Sequence, residues 1–376
     1  RGLGDVYKRQ KLMSTKRDNF QLSDKKLMQL AISLAENQKY FTGTNPSVGC
    51  VITRNNKIIS YGVTSKNGRP HAEINAINKN KSKDLYNSSM YVSLEPCTHY
   101  GKTPPCTNTL IKKKFKKVFF SHTDEDKRTK NAAKNILEKH KINVKNNFIN
   151  NKTKKLYFEY DFIRKNNFPY VIGKLAISQN NRIYRDKTPI SNLYSKDITH
   201  ILRYRCQALL TSYVTINNDN PKLTCRLNGL EKCSPTIVII DKDLKVKSSS
   251  KIFKNKDLKK IIFSKSNHKD KIEKLRHTNT EIFNIRTLGK EFDLKYVLST
   301  LHKKNLHQVL IECGPTLLEN FINNGLVNEF YLFKSNKSIK IKDTIYVKKL
   351  LKILNTNYKK NKINTFIDKD KLTCFN

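Results

Sequence analysis

The sequence lacks the features that mark membrane and secreted proteins. No apolar run is long enough to cross a bilayer, and no segment has the charged, apolar and small-residue pattern of a signal peptide. Most of the 8 cysteines are scattered without a pairing pattern, and a chain of 376 residues needs no disulfide framework. These absences argue against a transmembrane protein or a disulfide scaffold and predict a soluble, cytoplasmic protein.

Acidic residues are scarce compared with basic ones. The chain has 31 aspartates and glutamates against 74 lysines and arginines, which gives a formal net charge of +43. Such a charge is typical of proteins that bind nucleic acids. The lysines are spread through both halves, however, which indicates a compositional bias and no designed patch. We therefore expect no specific nucleic-acid partner, but a positive surface that attracts a phosphorylated small molecule.

Length and composition predict two folded domains. A chain of 376 residues exceeds what one hydrophobic core normally organises, and its apolar fraction of 37% is adequate for folding. A polar, lysine-rich and asparagine-rich stretch at residues 148–167, with an amphipathic part around Leu156, predicts a connecting helix or linker. We therefore expect one domain at residues 13–147 and a second at residues 168–376. Residues 1–12 fit neither pattern and are interpreted as a non-native or disordered leader.

The first domain carries a split set of metal-ligand residues. His71, Cys97 and Cys106 supply one imidazole and two thiolates, which suits a catalytic zinc ion with three protein ligands and one open position. Glu73 is then free to carry protons. Because a proline often marks the start of a helix, Pro70 predicts that His71 lies at a loop-to-helix junction. From there, His71 and Glu73 can both reach the same zinc-activated water.

This set of residues predicts the hydrolytic deamination of an amino-heterocycle. Zinc lowers the pKa of its water, and a glutamate that is not a ligand passes the water proton to the leaving amine. Glu73 is the predicted proton carrier. The alternative is a closed structural zinc site, in which His99, between the two cysteines, is the fourth ligand.

Three stretches around these residues follow a family pattern, and eight residues separate the two metal cysteines. The stretches are Asn45-Pro46-Ser47-Val48-Gly49-Cys50, Pro70-His71-Ala72-Glu73 and Leu94-Glu95-Pro96-Cys97-Thr98-His99-Tyr100-Gly101-Lys102-Thr103-Pro104-Pro105-Cys106. They resemble the deaminase half of the bifunctional riboflavin-biosynthesis deaminase/reductase. The resemblance implies a cytidine-deaminase-like α/β/α fold, one zinc ion, and substrate contacts from Asn45 and His99. Lys102 is a candidate phosphate contact.

The second domain alternates predicted strands and helices, which is typical of an α/β fold. Gly314 stands between a predicted strand and a predicted helix, where backbone N–H groups can approach a phosphate. The remaining motifs are Phe168-Pro169-Tyr170, Lys174-Leu175-Ala176, Arg203, the run Thr215-Ile216-Asn217-Asn218-Asp219-Asn220-Pro221-Lys222-Leu223-Thr224-Cys225-Arg226, and Glu312-Cys313-Gly314-Pro315-Thr316-Leu317. They resemble the reductase half of the same enzyme.

This second resemblance implies a dihydrofolate-reductase-like fold that binds NADPH. The implied cofactor-binding residues are Ala176, Thr215, Asp219, Gly314, Pro315 and Thr316. The implied substrate-binding residues are Arg203, Leu223, Arg226 and Glu312. Arginine suits a sugar phosphate because its guanidinium group donates paired hydrogen bonds.

The reductase half departs from its family pattern at several positions. The chain has no tryptophan, and Pro189 stands close to where the family has one. Asn181 replaces a turn glycine, and we expect it to adopt a left-handed conformation, which asparagine tolerates. One alternative is therefore a monofunctional pyrimidine deaminase with a degenerate reductase domain. A deaminase of nucleic acids is a further alternative, which the charge favours and the cysteine spacing opposes.

The resemblance to both halves predicts a bifunctional enzyme. It would deaminate 2,5-diamino-6-(5-phosphoribosylamino)pyrimidin-4(3H)-one with zinc and then reduce the ribosyl group to ribityl with NADPH. We expect a phosphorylated pyrimidine substrate, no membrane association and a homo-oligomeric assembly.

Overall fold

The chain folds as two units, the first ending at Lys165 and the second beginning at Asn166. The computed structural model describes residues 23–80, 84–184, 190–288, 291–340, 342, 344–363 and 365–376. The predicted leader, residues 1–12, lies outside the described residues. Within the described part of the chain, no helix combines the length and the apolar character needed to span a bilayer.

A five-stranded sheet forms the centre of the first unit. Its strands are β1 (Gly49–Arg54), β2 (Lys57–Val63), β3 (Ser89–Leu94), β4 (Lys117–His122) and β5 (Asn143–Lys145). They lie in the order β2-β1-β3-β4-β5, with β1 antiparallel to β2 and β3, and with β3, β4 and β5 parallel. The helices are α1 (Asp24–Asn37), α2 (Ala72–Lys79), α3 (Cys106–Lys112), α4 (Ala132–Lys139) and α5 (Asn150–Asn166).

Helix α1 begins after Ser23, whose side chain accepts a hydrogen bond from the backbone N–H of Lys26 at 3.4 Å. The helix buries Leu27, Met28 and Ala31 against the sheet. These apolar residues recur at helical spacing, and their burial holds the helix against the sheet that carries the site.

Close packing against β2 positions helix α2. A Cβ atom at Gly62 would overlap the backbone of Ala72 and Ala76, so only glycine allows the helix to lie this near the strand. His71 has extended dihedral angles and caps the helix, which confirms the predicted loop-to-helix junction. The helix extends from Ala72 to Lys79.

The segment expected to be a connecting helix or linker forms most of helix α5. Leu156 and Tyr157 of this helix are buried in the core of the first unit. The Tyr157 hydroxyl donates to the backbone oxygen of Ser47 at 3.0 Å. Of the two alternatives, residues 150–166 therefore form the helix, and its buried residues pack it against the first unit.

A nine-stranded sheet forms the centre of the second unit. Its strands are β6 (Tyr170–Ile177), β8 (Ala208–Ser212), β9 (Thr236–Ile240), β10 (Lys260–Ser264), β11 (Thr280–Asn284), β14 (Gln308–Ile311), β15 (Glu329–Lys334), β17 (Lys360–Lys362) and β18 (Lys371–Phe375). Their order is β11-β10-β9-β8-β14-β6-β15-β18-β17. The strands from β11 to β15 in this order are parallel, and β18 runs antiparallel to both of its neighbours.

Seven helices and two small strand pairs complete the second unit. The helices are α6 (Leu193–Arg205), α7 (Tyr213–Asp219), α8 (Lys251–Lys254), α9 (Lys269–Arg276), α10 (Leu294–Lys303), α11 (Pro315–Asn323) and α12 (Lys348–Asn357), counted over the described residues. The pairs are β7 (Arg182–Tyr184) with β16 (Thr344–Tyr346) and β12 (Thr287–Leu288) with β13 (Glu291–Phe292). Sequence reasoning had not assigned α7, α9, α12 or the last two strands, whose segments are rich in lysine and asparagine.

Candidate active sites

His71, Cys97 and Cys106 converge in the first unit. His71 precedes α2, Cys97 lies in the loop after β3, and Cys106 is the first residue of α3. Their ligand atoms all lie within 4.8 Å of one another. The His71 Nδ1 atom is 3.6 Å from the Cys97 sulfur and 3.4 Å from the Cys106 sulfur.

These distances fit a tetrahedral zinc ion. Bonds of about 2.3 Å to sulfur and about 2.0 Å to nitrogen place the two ligand atoms roughly 3.6 Å apart. The backbone N–H of Cys106 donates to the Cys97 sulfur at 3.2 Å. Hydrogen bonds from Cys106 and His71 lower the pKa of the Cys97 thiol, which favours the thiolate that a metal binds. The three residues therefore suit zinc in both donor chemistry and spacing.

Glu73 lies beside this ligand set. It is in the first turn of α2, and its side chain is only 4% exposed. Burial raises the pKa of the Glu73 carboxyl, which the nearby charge on His71 partly offsets. A carboxyl group with a raised pKa exchanges protons more readily near neutral pH, as a general acid and base requires.

The described residues do not form a closed structural zinc site with four protein ligands. His99 is not among the converging ligand atoms, and its Nδ1 atom lies 3.0 Å from the Thr129 hydroxyl. Burial and the charge of Arg128 lower the pKa of His99 and keep its ring neutral. Three protein ligands leave one position of a tetrahedral ion for water or substrate, as in catalytic zinc sites.

A cavity of about 370 Å³ opens beside the ligands and Glu73. Asn45 and His99, both implied as substrate contacts, line it. Asn45 is fixed by close contact with Gly68, where a Cβ atom would overlap its amide group. The cavity also holds cationic side chains suited to a phosphate, of which sequence reasoning identified only the first: Lys102, Arg69, Arg128 and Arg164.

Glu95 is a positioning residue that sequence reasoning missed. It is buried, and its carboxylate accepts hydrogen bonds from the backbone N–H groups of Asp124, Asn131 and Ala133 at 3.0–3.2 Å. These bonds hold the segment that brings Arg128 to the cavity. Its place in the Glu95-Pro96-Cys97 motif was the available signal, but nothing local indicates which backbone groups it binds.

In the second unit, Arg203 and Glu312 form a two-pronged ion pair. Arg203 Nε and Nη2 donate to the two carboxylate oxygens at 2.7 and 2.9 Å, and Nη1 donates to the Thr224 backbone oxygen at 3.1 Å. Burial alone would raise the pKa of Glu312, but the charge and hydrogen bonds of Arg203 lower it. Arg203 is therefore held in place and already paired with Glu312.

Further basic groups surround this ion pair. Desolvation and the charge of Arg203 lower the pKa of Arg226. Burial, Arg203 and Arg226 together lower the pKa of His200 to about 4, so this histidine is neutral near pH 7. Leu223, buried with a φ of 54°, lies on the loop that leads to Arg226. Arg226 has no described carboxylate in an ion pair and remains available for an anionic ligand.

The residues implied in NADPH binding lie at one edge of the sheet. Ala176 is near the end of β6, Thr215 and Asp219 belong to α7 after β8, and Pro315 and Thr316 begin α11 after β14. Strands β8, β14 and β6 are parallel neighbours, so their carboxyl ends meet at the same edge. In open α/β sheets this edge is where ligands bind.

Gly314 provides space for a phosphate at this edge. It caps α11, and a Cβ atom there would meet nothing within 4 Å. The first backbone N–H groups of a helix lack partners within the helix and attract anions. By contrast, the Ser212 side chain already accepts from the Thr215 backbone N–H at 3.3 Å and lies 3.2 Å from the Thr215 hydroxyl, so the protein itself caps the start of α7. The edge thus suits a dinucleotide phosphate.

The turn after β6, whose sequence departs from the family pattern, still has a left-handed residue at Asn181. This residue has a φ of 59°, which confirms the expected left-handed conformation. Pro189, where the family has a tryptophan nearby, lies outside the described residues. The change from glycine therefore leaves the turn after β6 intact.

Family models match both halves of the chain. The cytidine and deoxycytidylate deaminase zinc-binding region matches residues 22–122, and the RibD C-terminal domain matches residues 169–337. The riboflavin biosynthesis protein RibD of Aquifex aeolicus is 30% identical over 317 residues, which cover 84% of this chain and 87% of that protein. This chain belongs to the RibD family. The RibD protein of Buchnera aphidicola is 31% identical over 82% of this chain and 86% of its own length.

Solved RibD structures share the fold of both units. Acinetobacter baumannii RibD aligns with a TM-score of 0.81 at 26% identity, covering 94% of this chain and 98% of that one. A Thermotoga maritima deaminase/reductase aligns with a TM-score of 0.77 at 26% identity, covering 93% and 97%. The predicted cytidine-deaminase-like domain and the predicted α/β reductase domain of RibD are confirmed.

Proposed function

We propose that this RibD-family enzyme first deaminates 2,5-diamino-6-(5-phosphoribosylamino)pyrimidin-4(3H)-one and then reduces its ribosyl group to ribityl. The observation that carries the proposal is the placement of buried Glu73 beside three converging zinc ligands, in a cavity bordered by cations. The Arg203–Glu312 pair at the nucleotide-binding edge of the second unit supports the reduction.

Glu73 moves the protons of the deamination. Zinc held by His71, Cys97 and Cys106 would supply a water of lowered pKa. Glu73 accepts a proton from the attacking water and delivers it to the amino group that leaves as ammonia, while a carbonyl group replaces the amine on the ring. Because burial raises the pKa of Glu73, its protonated form is stable enough to serve as the acid.

Asn45, His99 and the cavity cations orient the substrate. Asn45 carries an amide that can donate to and accept from the edge of a pyrimidine, and the neutral ring of His99 borders the same space. Lys102 and Arg69 offer donors to the ribose phosphate, while Arg128 and Arg164, which pair with Asp126, border the same space. These contacts hold the reacting carbon near Glu73 and so lower the entropic cost of the reaction.

Arg203, Arg226 and Glu312 hold the deaminated substrate in the second unit. NADPH supplies a hydride when bound at Ala176, Thr215, Asp219 and residues 314–316. Glu312 accepts hydrogen bonds from a sugar hydroxyl or ring N–H, and Arg226 donates to the phosphate. Leu223 adds an apolar surface beside them.

The product masses of the zinc-loaded protein test this function. With the diaminopyrimidine ribosyl phosphate alone, we expect one deaminated product; with NADPH added, a second product carries two more hydrogens. Deamination without reduction would mean that the second unit is inactive and would support the monofunctional alternative. Reduction without deamination would contradict the role of Glu73.

We further propose that the enzyme acts as a cytoplasmic homo-oligomer without a nucleic-acid partner. Family membership supports a small-molecule substrate, and the cavity beside Glu73 is of small-molecule size. Light scattering gives the assembly state. Salt-dependent binding to RNA accompanied by deamination of its bases would contradict the small-molecule proposal.

A further inference from the structure

The second unit contains another cavity, of about 500 Å³, that the two reactions do not use. It is bordered by strands β6, β15, β18 and β17 and by helix α12. None of its lining residues belongs to the cofactor or substrate sets assigned above. Small-molecule sites typically measure about 300–1,000 Å³, so the cavity can hold a ligand of nucleotide size.

The cavity lies on the sheet face opposite Ala176. Successive side chains of a strand point to opposite faces. Ile177 lines the cavity, so Ala176, one residue earlier in β6, points to the other side. The cavity is therefore separate from the edge where we place NADPH.

Two lysines stand directly opposite each other at its rim. In the antiparallel pairing of β15 with β18, Lys334 is the register partner of Lys371. Ile177 is the register partner of Lys334 on its other side, so all three positions form one row across the sheet. Like charges directly opposite in a sheet are destabilising, unless an anion lies between them.

No described carboxylate forms an ion pair with Lys334 or Lys371 to balance their positive charges. Lys334 Nζ donates to the neutral amide oxygen of Asn181 at 2.9 Å, and neither lysine forms an ion pair with the described residues. Lys360 and Lys369 also line the cavity and are exposed. Four lysines thus line one space and form no ion pair with the residues that the structure describes, which distinguishes this place from lysines scattered on the surface.

The floor of the cavity is apolar. Leu332, Leu351 and Phe375 line it beside the lysines, and Phe375 is the register partner of Lys360. Thr373 adds a hydroxyl group between the apolar and the charged parts. Phe375 is buried, whereas Leu351 is partly exposed, so a planar ring can pack on Leu351 while an attached anion reaches the lysine row.

We propose that this cavity binds a phosphate ester carried on a planar ring system, in the size class of a nucleoside monophosphate. The phosphate lies between Lys334 and Lys371 and accepts their charge-assisted hydrogen bonds. The ring covers the apolar surface at Leu351. The proposal does not depend on either reaction assigned to the enzyme.

Calorimetric titration of the full chain with adenosine 5′-monophosphate, in saturating NADPH, tests the site. We expect saturable binding that is tighter than that of adenosine or inorganic phosphate. In the double variant Lys334→Gln/Lys371→Gln, the affinity should fall by about tenfold for each lysine removed. The double variant Lys360→Gln/Lys369→Gln should weaken nucleotide binding less than Lys334→Gln/Lys371→Gln. It provides the test if Lys334→Gln/Lys371→Gln does not fold.

The matched control is Lys254→Gln/Lys259→Gln, two exposed lysines of the same unit outside the cavity. It removes the same charge and should leave the affinity unchanged. Equal weakening in the control would show that overall charge attracts the nucleotide and would overturn the proposal. Unchanged binding in the cavity variants, or no binding by the unaltered chain, would also overturn it.

Discussion

The two units assemble their reactive residues in different ways. In the first unit, the proposed zinc ligands and Glu73 lie in one stretch from His71 to Cys106, and two ligands stand at helix starts. In the second, the proposed residues extend from Ala176 to Thr316 and meet only because β6, β8 and β14 are neighbours. The comparison shows that side-chain chemistry and spacing determine one site, whereas the topology of the sheet determines the other.

Removing one proposed zinc ligand should separate the activities of the two units most clearly. In Cys106→Ser, a neutral hydroxyl replaces the thiolate, so we expect the loss of bound zinc and of all measurable deamination. Elemental analysis gives the zinc content, and NADPH oxidation with deaminated substrate reports the second unit. The reductase rate should stay unchanged. Cys233→Ser, half-exposed and outside the ligand set, is the control and should retain zinc.

The second test separates the proton carrier from the metal. Glu73→Gln keeps the shape of the side chain but not its basicity, so deamination should fall by roughly 10²–10⁴-fold while zinc remains bound. Mass spectrometry of the product and zinc analysis measure the two effects. Glu36→Gln changes an exposed glutamate of α1 and should have no effect. Retained deamination in Glu73→Gln would exclude it as the proton carrier.

The third test concerns the proposed substrate site of the second unit. Arg226→Ala removes an arginine without a described ion-pair partner, so kcat/KM of the reductase should fall by about 10–100-fold through lost phosphate contacts. Deamination should be spared. Arg276→Ala, on the exposed side of α9, is the matched control. Equal loss of both activities in Arg226→Ala would contradict separate sites.

The smallest effect concerns the stability of the first unit in acid. Arg128 donates to both carboxylate oxygens of Asp126, at 2.9 and 2.6 Å, and these bonds outweigh burial to lower the pKa of Asp126 to about 2. A carboxyl with a depressed pKa stabilises the fold above its ordinary pKa, and this stabilisation disappears as pH falls through about 2.

Thermal unfolding of the zinc-free protein measures this contribution. The difference in melting temperature between the unaltered chain and Asp126→Asn should be largest above about pH 4 and should shrink as the pH approaches 2. A difference that does not vary with pH would show that Asp126 acts through shape and not through its charge.

Much of the first site could be predicted from the sequence. The ligand set, the helix start after His71 and the place of Glu73 depend on local spacing and on Pro70, and the structure brings these residues together. The roles of Arg128 and Arg164 could not be predicted, since they reach the cavity through the contacts of Glu95 and the packing of α5.

Less of the second unit follows from the sequence. The strands Thr236–Ile240 and Gln308–Ile311 are apolar runs, a pattern visible in the sequence, and the left-handed turn at Asn181 followed from the tolerance of asparagine. The Arg203–Glu312 pair joins residues far apart in sequence and depends on the place of α6 beside β14. Helix α12 and the last strands, which build the lysine-lined cavity, lie in segments whose composition hides their periodicity.

The most direct test of two separate chemistries is the rate of NADPH oxidation by Glu73→Gln supplied with the already deaminated substrate. We predict the rate of the unaltered enzyme, because Glu73 serves only the first unit's reaction. Loss of this activity, with the variant folded and zinc bound, would contradict the assignment of the two reactions to two independent sites.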